Sequence, residues 1–230
     1  GAAASPVMGS QTPSTATSML LAFLNVRFGY WLPPPNRMDW QAPQARLWPF
    51  YLLREFFSHV ADTGSHCYVT DGGHFDNTGV YSLVERGCRT ILLTDCGADP
   101  DTVFDDLSNL IRRCRIDFGV EIQFNSLKPF SRATLAKHRE PFVVGEILYP
   151  VAHLKGLGAD TNNCTGTLIV IKPTLGETRD TDVNRYSQQY TDFPQQSTVD
   201  QWFDEAQFES YRRLGEVSAE TAAGDIEAAL

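Results

Sequence analysis

The sequence has few basic residues and no long apolar run. It contains 19 Lys and Arg against 28 Asp and Glu, which gives a formal net charge of −9 over 230 residues. Proteins that bind nucleic acid need clustered basic side chains to contact the phosphates, so this balance argues against a nucleic-acid partner. No stretch approaches the roughly 18 apolar residues that cross a bilayer. The hydrophobic content of 42% suits one globular domain or part of a larger one.

Cysteine is also scarce. The five cysteines form no CxxC pair, and an odd number without such spacing fits neither a disulfide framework nor a zinc knuckle. Cys67, Cys88 and Cys114 each stand beside apolar residues. We therefore expect small, buried thiols in a reducing compartment, and a cytoplasmic location.

Two common catalytic motifs are missing, and the histidines do not replace them. There is neither a GxSxG nucleophile elbow nor a phosphate-binding GxxxxGK[ST] loop. His66 and His74 flank Asp71, which raises the alternative of a metal pair, but a strand and a turn need not present them to the same side. Without a third ligand, the sequence does not favour a metal site.

The central part of the chain predicts an α/β fold. Segments of alternating type follow one another: a strand ending at Asp71, a helix to about Arg86, the strand Thr90–Thr94, a helix from Asp99-Pro100 to Gly119, and a strand over Val120–Phe124. This order is typical of a parallel sheet. We therefore expect a parallel-rich sheet flanked by helices.

Further elements are predicted on both sides of this block. Phe142–Tyr149 and Gly166–Lys172 should form an added antiparallel pair, because the segment between them is rich in Gly, Asn and Asp. A short helix is expected over Asp182–Tyr190, and a longer one, capped by Ser197 or Thr198, should end at Gly215. The predicted domain is then 1–215, with 216–230 as an exposed helical or frayed tail.

The region before Asp71 contains two predicted helices. One begins near Ser14 and ends at Gly29, and the other spans Leu47 to Val60. Aromatic and aliphatic residues cover most of the circumference of the second helix, including Trp48, Tyr51 and Phe56. A buried core helix, an apolar wall of a substrate site and a membrane-facing surface all remain open.

Two acidic residues stand at the ends of predicted strands, where open α/β sheets place their chemistry. Asp71 is followed by Gly72-Gly73, which would let a reaction partner approach its carboxylate closely, and it is the leading catalytic candidate. From pattern alone it could equally cap the next helix. A phosphoaspartyl or Mg²⁺ role for Asp95 with Asp99 is a weaker alternative, because no Lys or Thr at a diagnostic spacing supports it.

Several blocks occur together in a fixed order along the chain. They are Asp71-Gly72-Gly73-His74-Phe75-Asp76-Asn77-Thr78-Gly79-Val80-Tyr81, Arg86-Gly87-Cys88, Ile111–Gly119, Ile171-Lys172-Pro173, Phe193-Pro194 and Gln207–Arg212. This set resembles the C-terminal catalytic block of patatin-like phospholipases, and more closely that of large bacterial patatin-like proteins. Asp-Gly-Gly alone is a weak motif, whereas the ordered set covers most of the chain.

The resemblance implies a three-layer fold and a Ser–Asp dyad that hydrolyses lipid acyl esters. In that family a GxSxG serine attacks the carbonyl, an aspartate of Asp-Gly-Gly is its base, and a glycine-rich loop holds the oxyanion. By this resemblance Asp71 is the base, and Gly72 and Gly73 form the turn that supports it. No cofactor is implied, because water is the second substrate. A membrane surface is a further candidate partner.

The sequence departs from the family pattern in one respect. The GxSxG serine and the oxyanion loop are expected before Gly1, in an N-terminal portion of the same protein that would also account for any membrane association. This chain alone is therefore expected to be inactive. Ser5 lacks the flanking glycines of an elbow and is not a nucleophile candidate. The alternative is a degenerate, non-catalytic module that binds lipid or protein.

Overall fold

The computed structural model describes residues 29–33, 66–70, 72–125, 127, 141–175, 180–197 and 202–229. The chain divides into two compact units, Gly1–Asn77 and Thr78–Leu230. The two helices predicted before Asp71 lie outside the described residues, and so does Asp71 itself.

In the first unit, two short strands form an antiparallel ribbon. β1 (Gly29–Leu32) pairs with β2 (Cys67–Thr70), and Trp31 lies opposite Tyr68. Their ring centroids are 5.4 Å apart, a cross-strand aromatic contact of the kind that stabilises antiparallel pairs. β2 was predicted. β1 was not predicted, because the sequence pattern indicates a helix that ends at Gly29, whereas Gly29 is the first residue of this strand.

The second unit contains the larger sheet and all five described α-helices. Its elements are α1 (Tyr81–Glu85), β3 (Thr90–Thr94), α2 (Asp105–Phe118), β4 (Glu121–Phe124), β5 (Phe142–Leu148), α3 (Val151–Gly156), β6 (Thr165–Ile171), α4 (Thr181–Gln189) and α5 (Glu205–Ala229).

This sheet is mixed, with the strand order β3-β6-β5-β4. The predicted antiparallel pair is confirmed, since β5 and β6 run in opposite directions from Phe142 opposite Ile171 to Leu148 opposite Thr165. The prediction of a parallel-rich sheet is wrong, because β3 with β6 is the only parallel pair among the described strands. β4 points the same way as β3 but lies at the opposite edge. A sequence in which strands and helices alternate predicts the direction of each strand, but it does not predict which strands pair with each other.

The core lies between one face of the sheet and α2. On β3, Ile91 and Leu93 are buried while Leu92 between them is 50% exposed. This alternation places one face of the edge strand against the apolar side of α2, which contributes Leu110 and Cys114. β6 is central, and its residues from 168 to 171 are buried on both faces. A second cluster joins α4 to α5 through Val183, Tyr186, Phe193 and Leu214.

Glycines mark two helix ends as expected. α2 stops at Gly119, whose φ is +67°, and Gly87 follows α1 with a φ of +71°. Both angles lie in the left-handed region, which glycine adopts without steric cost. The sequence predicts Asp76 or Asn77 as the cap of this helix, whereas α1 begins at Tyr81. The Thr78 hydroxyl accepts a hydrogen bond from the Val80 N–H just before it.

The predicted helix end at Gly215 is wrong, because α5 continues without interruption to Ala229. A glycine inside a helix costs about 1 kcal/mol relative to alanine. Ion pairs across this turn oppose that cost: Arg212 and Arg213 both bind the Glu216 carboxylate, at 3.0 and 2.9 Å. Ser218 and Ala222 beyond it are buried, so packing also holds the second half of α5. The domain prediction of 1–215 remains a prediction.

The five cysteines all lie in the described ranges, and none of them forms a disulfide. Cys114 is buried as predicted, Cys67 and Cys88 are half-buried, and Cys96 is exposed. Within the described ranges, no helix has both the length and the apolar character needed to cross a bilayer.

Candidate functional site

The turn that follows Asp71 is a short 3-10 helix, Gly72–His74. The Gly72 carbonyl accepts hydrogen bonds from the N–H groups of Phe75 and Asp76, at 2.9 and 3.0 Å. β2 ends at Thr70, immediately before Asp71 in the sequence. A strand and then a tight turn flank Asp71 as predicted, but the strand pairs with β1 in an antiparallel ribbon and not with the strands of the larger sheet. The catalytic role of Asp71 stays a prediction.

Gly72 has space for a side chain. A Cβ built on it meets no atom within 4 Å, and its φ is not in the left-handed region. The sequence suggested a turn too tight for side chains, but at Gly72 nothing in the described fold requires glycine. A requirement for glycine there would have to come from a reaction partner that approaches the backbone closely.

We predict that Gly72→Ala leaves the free energy of unfolding unchanged or raises it by up to about 0.5 kcal/mol, because alanine only restricts the unfolded chain. Gly87→Ala is the matched contrast, since Gly87 has a positive φ and its Cβ would meet Leu157 Cδ1 at 3.0 Å. That variant should lose about 1 kcal/mol or more. Urea unfolding of both variants measures the difference, and an equal loss would contradict the open space at Gly72.

The second candidate acid, Asp95, lies at the carboxyl end of β3. Because β3 and β6 are parallel, the residues that follow them meet at the same edge of the sheet. There Lys172 Nζ donates to Asp95 Oδ2 at 2.8 Å and to the Gly97 carbonyl at 3.2 Å. Asp95 Oδ1 accepts from the Gly97 N–H at 3.0 Å, and the Asp95 N–H donates to the Ile171 carbonyl at 2.8 Å.

Lys172 was not predicted as a partner, because it lies 77 residues from Asp95. Its side chain is only 3% exposed and that of Asp95 is 21% exposed, so this ion pair is largely removed from water. Both Asp95 oxygens are engaged. The pair is therefore suited to fixing the edge of the sheet and to presenting a charge-neutral polar surface.

Asp99 shapes the loop before α2, and a joint role of Asp99 with Asp95 stays a prediction. Its two oxygens accept hydrogen bonds from the N–H groups of Val103 and Phe104, both at 2.9 Å. The backbone of this loop is strained, since Thr102 and Phe104 have φ of +52° and +54°. The Asp99 carboxylate compensates by satisfying two backbone donors. No group of three His, Cys, Asp or Glu residues able to hold a metal occurs in the described part of the chain.

A cavity of about 490 Å³ opens beside the Asp95–Lys172 pair. Its walls come from the start of α5, from the segment after α4 and from Pro173 after β6. Most of the lining is apolar or aromatic, and the lining residues include Pro173, Pro194, Phe203, Phe208 and Tyr211, with Asp95, Gln195, Gln196 and Ser197 as the polar part. This size and lining are typical of small-molecule sites.

The charged groups near this cavity are paired with one another. Arg212, which lines the cavity, binds Glu209 at 2.7 Å and Glu216 at 3.0 Å. These carboxylates, through their hydrogen bonds and charge, raise the pKa of the Arg212 guanidinium well above its usual range. Arg212 is therefore a positive group that is already neutralised, and it does not make the cavity attractive to anions.

Cys96 lines the cavity and is exposed. Although the residue as a whole is exposed, partial burial of its sulfur, together with the neighbouring Asp95 carboxylate, raises the pKa of the Cys96 thiol, and the Lys172 charge opposes this shift. The thiol is consequently protonated at neutral pH, which makes it a poor nucleophile. Sequence reasoning missed the cavity, since its lining is drawn from three regions that are far apart along the chain, around residues 95, 173 and 194 to 212.

Comparison of the chain with models of known protein families, with curated proteins and with solved structures found no match.

Proposed function

We propose that this chain is the C-terminal part of a patatin-like acyl-ester hydrolase, and that Asp71 is the base of its Ser–Asp dyad. The nucleophilic serine, in a GxSxG elbow, and the oxyanion loop would come from sequence that precedes Gly1. The substrate would be the acyl ester of a lipid, with water as the second substrate and without a cofactor.

The observation that carries this proposal is the order strand, Asp71, 3-10 turn. β2 ends at Thr70 and the turn begins at Gly72, with the first turn closed by hydrogen bonds to the Gly72 carbonyl. A carboxylate between the end of a strand, here in the antiparallel ribbon of β1 and β2, and a tight turn would be available to a partner beyond that end. The mixed α/β architecture is compatible with the finer expectation of a three-layer patatin-like fold, which remains part of the proposal.

Chemically, a serine hydroxyl needs a positioned base and fixed hydrogen-bond donors before it attacks an ester. An aspartate that accepts the proton and a loop that binds the oxyanion supply both. Gly72, which has open space on its Cα, would leave room for the serine to approach.

We expect a polypeptide that joins the preceding GxSxG segment to this chain to hydrolyse a short-chain nitrophenyl ester, whereas this chain alone does not. Ser5→Ala in the longer polypeptide is the matched control and should leave the rate unchanged. Ester hydrolysis by this chain alone at the rate of the longer polypeptide would refute the proposal. So would a preceding sequence that contains no GxSxG.

A second candidate function is a non-catalytic module that binds lipid or protein. The cavity beside Asp95 favours it, because its described lining is mostly apolar and the two charged side chains in that lining, Asp95 and Arg212, are both engaged in ion pairs. Ester hydrolysis by the longer polypeptide distinguishes the two candidates. A binding module would bind its ligand, but the longer polypeptide would hydrolyse no ester.

A further inference from the structure

We infer that the cavity between the carboxyl ends of β3 and β6 and the start of α5 binds an uncharged, single-chain amphiphile. Its alkyl chain would lie against Phe203, Phe208 and Tyr211, and its hydroxyl or ester head group would face the polar floor at Asp95 and Gly97. All lining residues belong to the unit Thr78–Leu230, so this binding does not depend on Asp71 or on the proposed hydrolysis.

The walls require an apolar ligand. Phe203 is 51% exposed and Phe208 is 63% exposed, so both keep a large apolar surface in contact with water when the cavity is empty. Trp202, next to Phe203, is 91% exposed. Covering such surfaces is favourable at roughly 25 cal/mol per Å², and a contiguous apolar patch of this kind usually marks a binding site. The Phe193 ring packs edge to face against the ring of Tyr211, with centroids 4.8 Å apart, and so supports this part of the cavity wall.

The floor requires a neutral head group. Asp95 is paired with Lys172, and Arg212 is paired with Glu209 and Glu216, so neither sign of charge is left uncompensated. An anionic or cationic head group would lose its hydration without gaining an opposite charge. The Gln196 amide is already bound to Tyr186 and Gln207, and Gln195 Oε1 accepts from the Asp99 N–H at 2.6 Å. Gln195 lines the cavity, and its Nε2 group is the neutral donor that would bind an uncharged head group.

The experiment compares three ligands that share one alkyl chain: decanol below its solubility limit, and decanoate and decyltrimethylammonium below their critical micelle concentrations. Isothermal titration of the full chain should show that decanol binds at least about tenfold more tightly than either charged ligand, a difference of 1.4 kcal/mol in binding free energy. Bound decanol should also slow alkylation of Cys96 by iodoacetamide. Alkylation of Cys88, which is half-buried and does not line the cavity, should be unaffected.

The variants locate the binding. Phe203→Ser combined with Phe208→Ser removes two exposed side chains and should weaken decanol binding by about tenfold or more without unfolding the chain. Ile116→Ser is the matched control, since Ile116 is 69% exposed on α2 and does not line the cavity. Equal binding by the double variant and the control would overturn the inference. An absence of decanol binding, or decanoate binding as tight as decanol, would also overturn it.

A charge change at the floor tests the reason for the selectivity. Asp95→Asn leaves the Lys172 ammonium without its counter-charge, and the preference for decanol over decanoate should then shrink or reverse. An unchanged preference would contradict the role of the neutral floor. If this variant does not fold, the phenylalanine variants still decide whether the cavity is the binding site.

Discussion

Asp71→Asn should reduce ester hydrolysis by the GxSxG-containing polypeptide by about 10² to 10⁴-fold. An amide cannot take the serine proton, so the nucleophile would remain a neutral hydroxyl. The substitution changes neither the size of the side chain nor its ability to accept a hydrogen bond. Hydrolysis of a nitrophenyl ester, measured as kcat and KM, should show the loss mainly in kcat.

The same variant separates the two roles that the sequence pattern left open. Asparagine caps a helix or a turn as well as aspartate does, whereas alanine costs about 1 kcal/mol at such a position. If Asp71 is only a cap, Asp71→Asn keeps both activity and stability, and Asp71→Ala lowers the stability. Asp76→Asn, the same change just beyond the 3-10 turn, is the control and should leave kcat unchanged. Full activity of Asp71→Asn would eliminate Asp71 as the base.

Asp95→Asn should lower the free energy of unfolding by about 3 kcal/mol, because it leaves the Lys172 ammonium buried without a counter-charge. Lys172→Met should cost less. The side chain of Asp95 is 21% exposed and keeps its hydrogen bond from the Gly97 N–H, so its charge remains partly solvated once Lys172 is gone. Urea denaturation of each variant gives these values.

The double variant, Asp95→Asn with Lys172→Met, should be no less stable than Lys172→Met alone, since neither charge then remains. The exposed pair Arg115–Glu121 is the matched control: its side chains are 54% and 38% exposed, and Glu121→Gln should change the stability too little to measure. A larger loss for Lys172→Met than for Asp95→Asn would contradict the assignment of Lys172 as the more buried partner.

Local patterns in the sequence predicted much of the secondary structure of the larger unit. The predicted bounds of β3, Thr90–Thr94, agree with the structure. The end of α2 at Gly119 was predicted because glycine adopts a positive φ without steric cost. The antiparallel pairing of β5 with β6 was also predicted, from the segment between them that is rich in Gly, Asn and Asp.

Pairing between distant segments could not be predicted from local patterns. β6 joins β3 as its parallel neighbour across more than 70 residues of chain, and this contact brings Lys172 to Asp95. No rule based on the spacing of residues in the sequence predicts such a contact. The helix end predicted at Gly215 failed for a related reason: local propensity favours a stop there, whereas ion pairs to Glu216 and the burial of Ser218 favour continuation.

The hydrogen bonds at the edge of the sheet fix the floor of the cavity before any ligand arrives. Asp95 is held through its backbone by Ile171 and through its carboxylate by Lys172 and Gly97. Ordering a side chain on binding costs roughly 0.5 to 1.5 kcal/mol. The Asp95 side chain is already ordered in the folded protein, so ligand binding does not add this cost. The floor is therefore preorganised, and the conformational entropy still lost on binding belongs to the ligand and to the exposed aromatic wall.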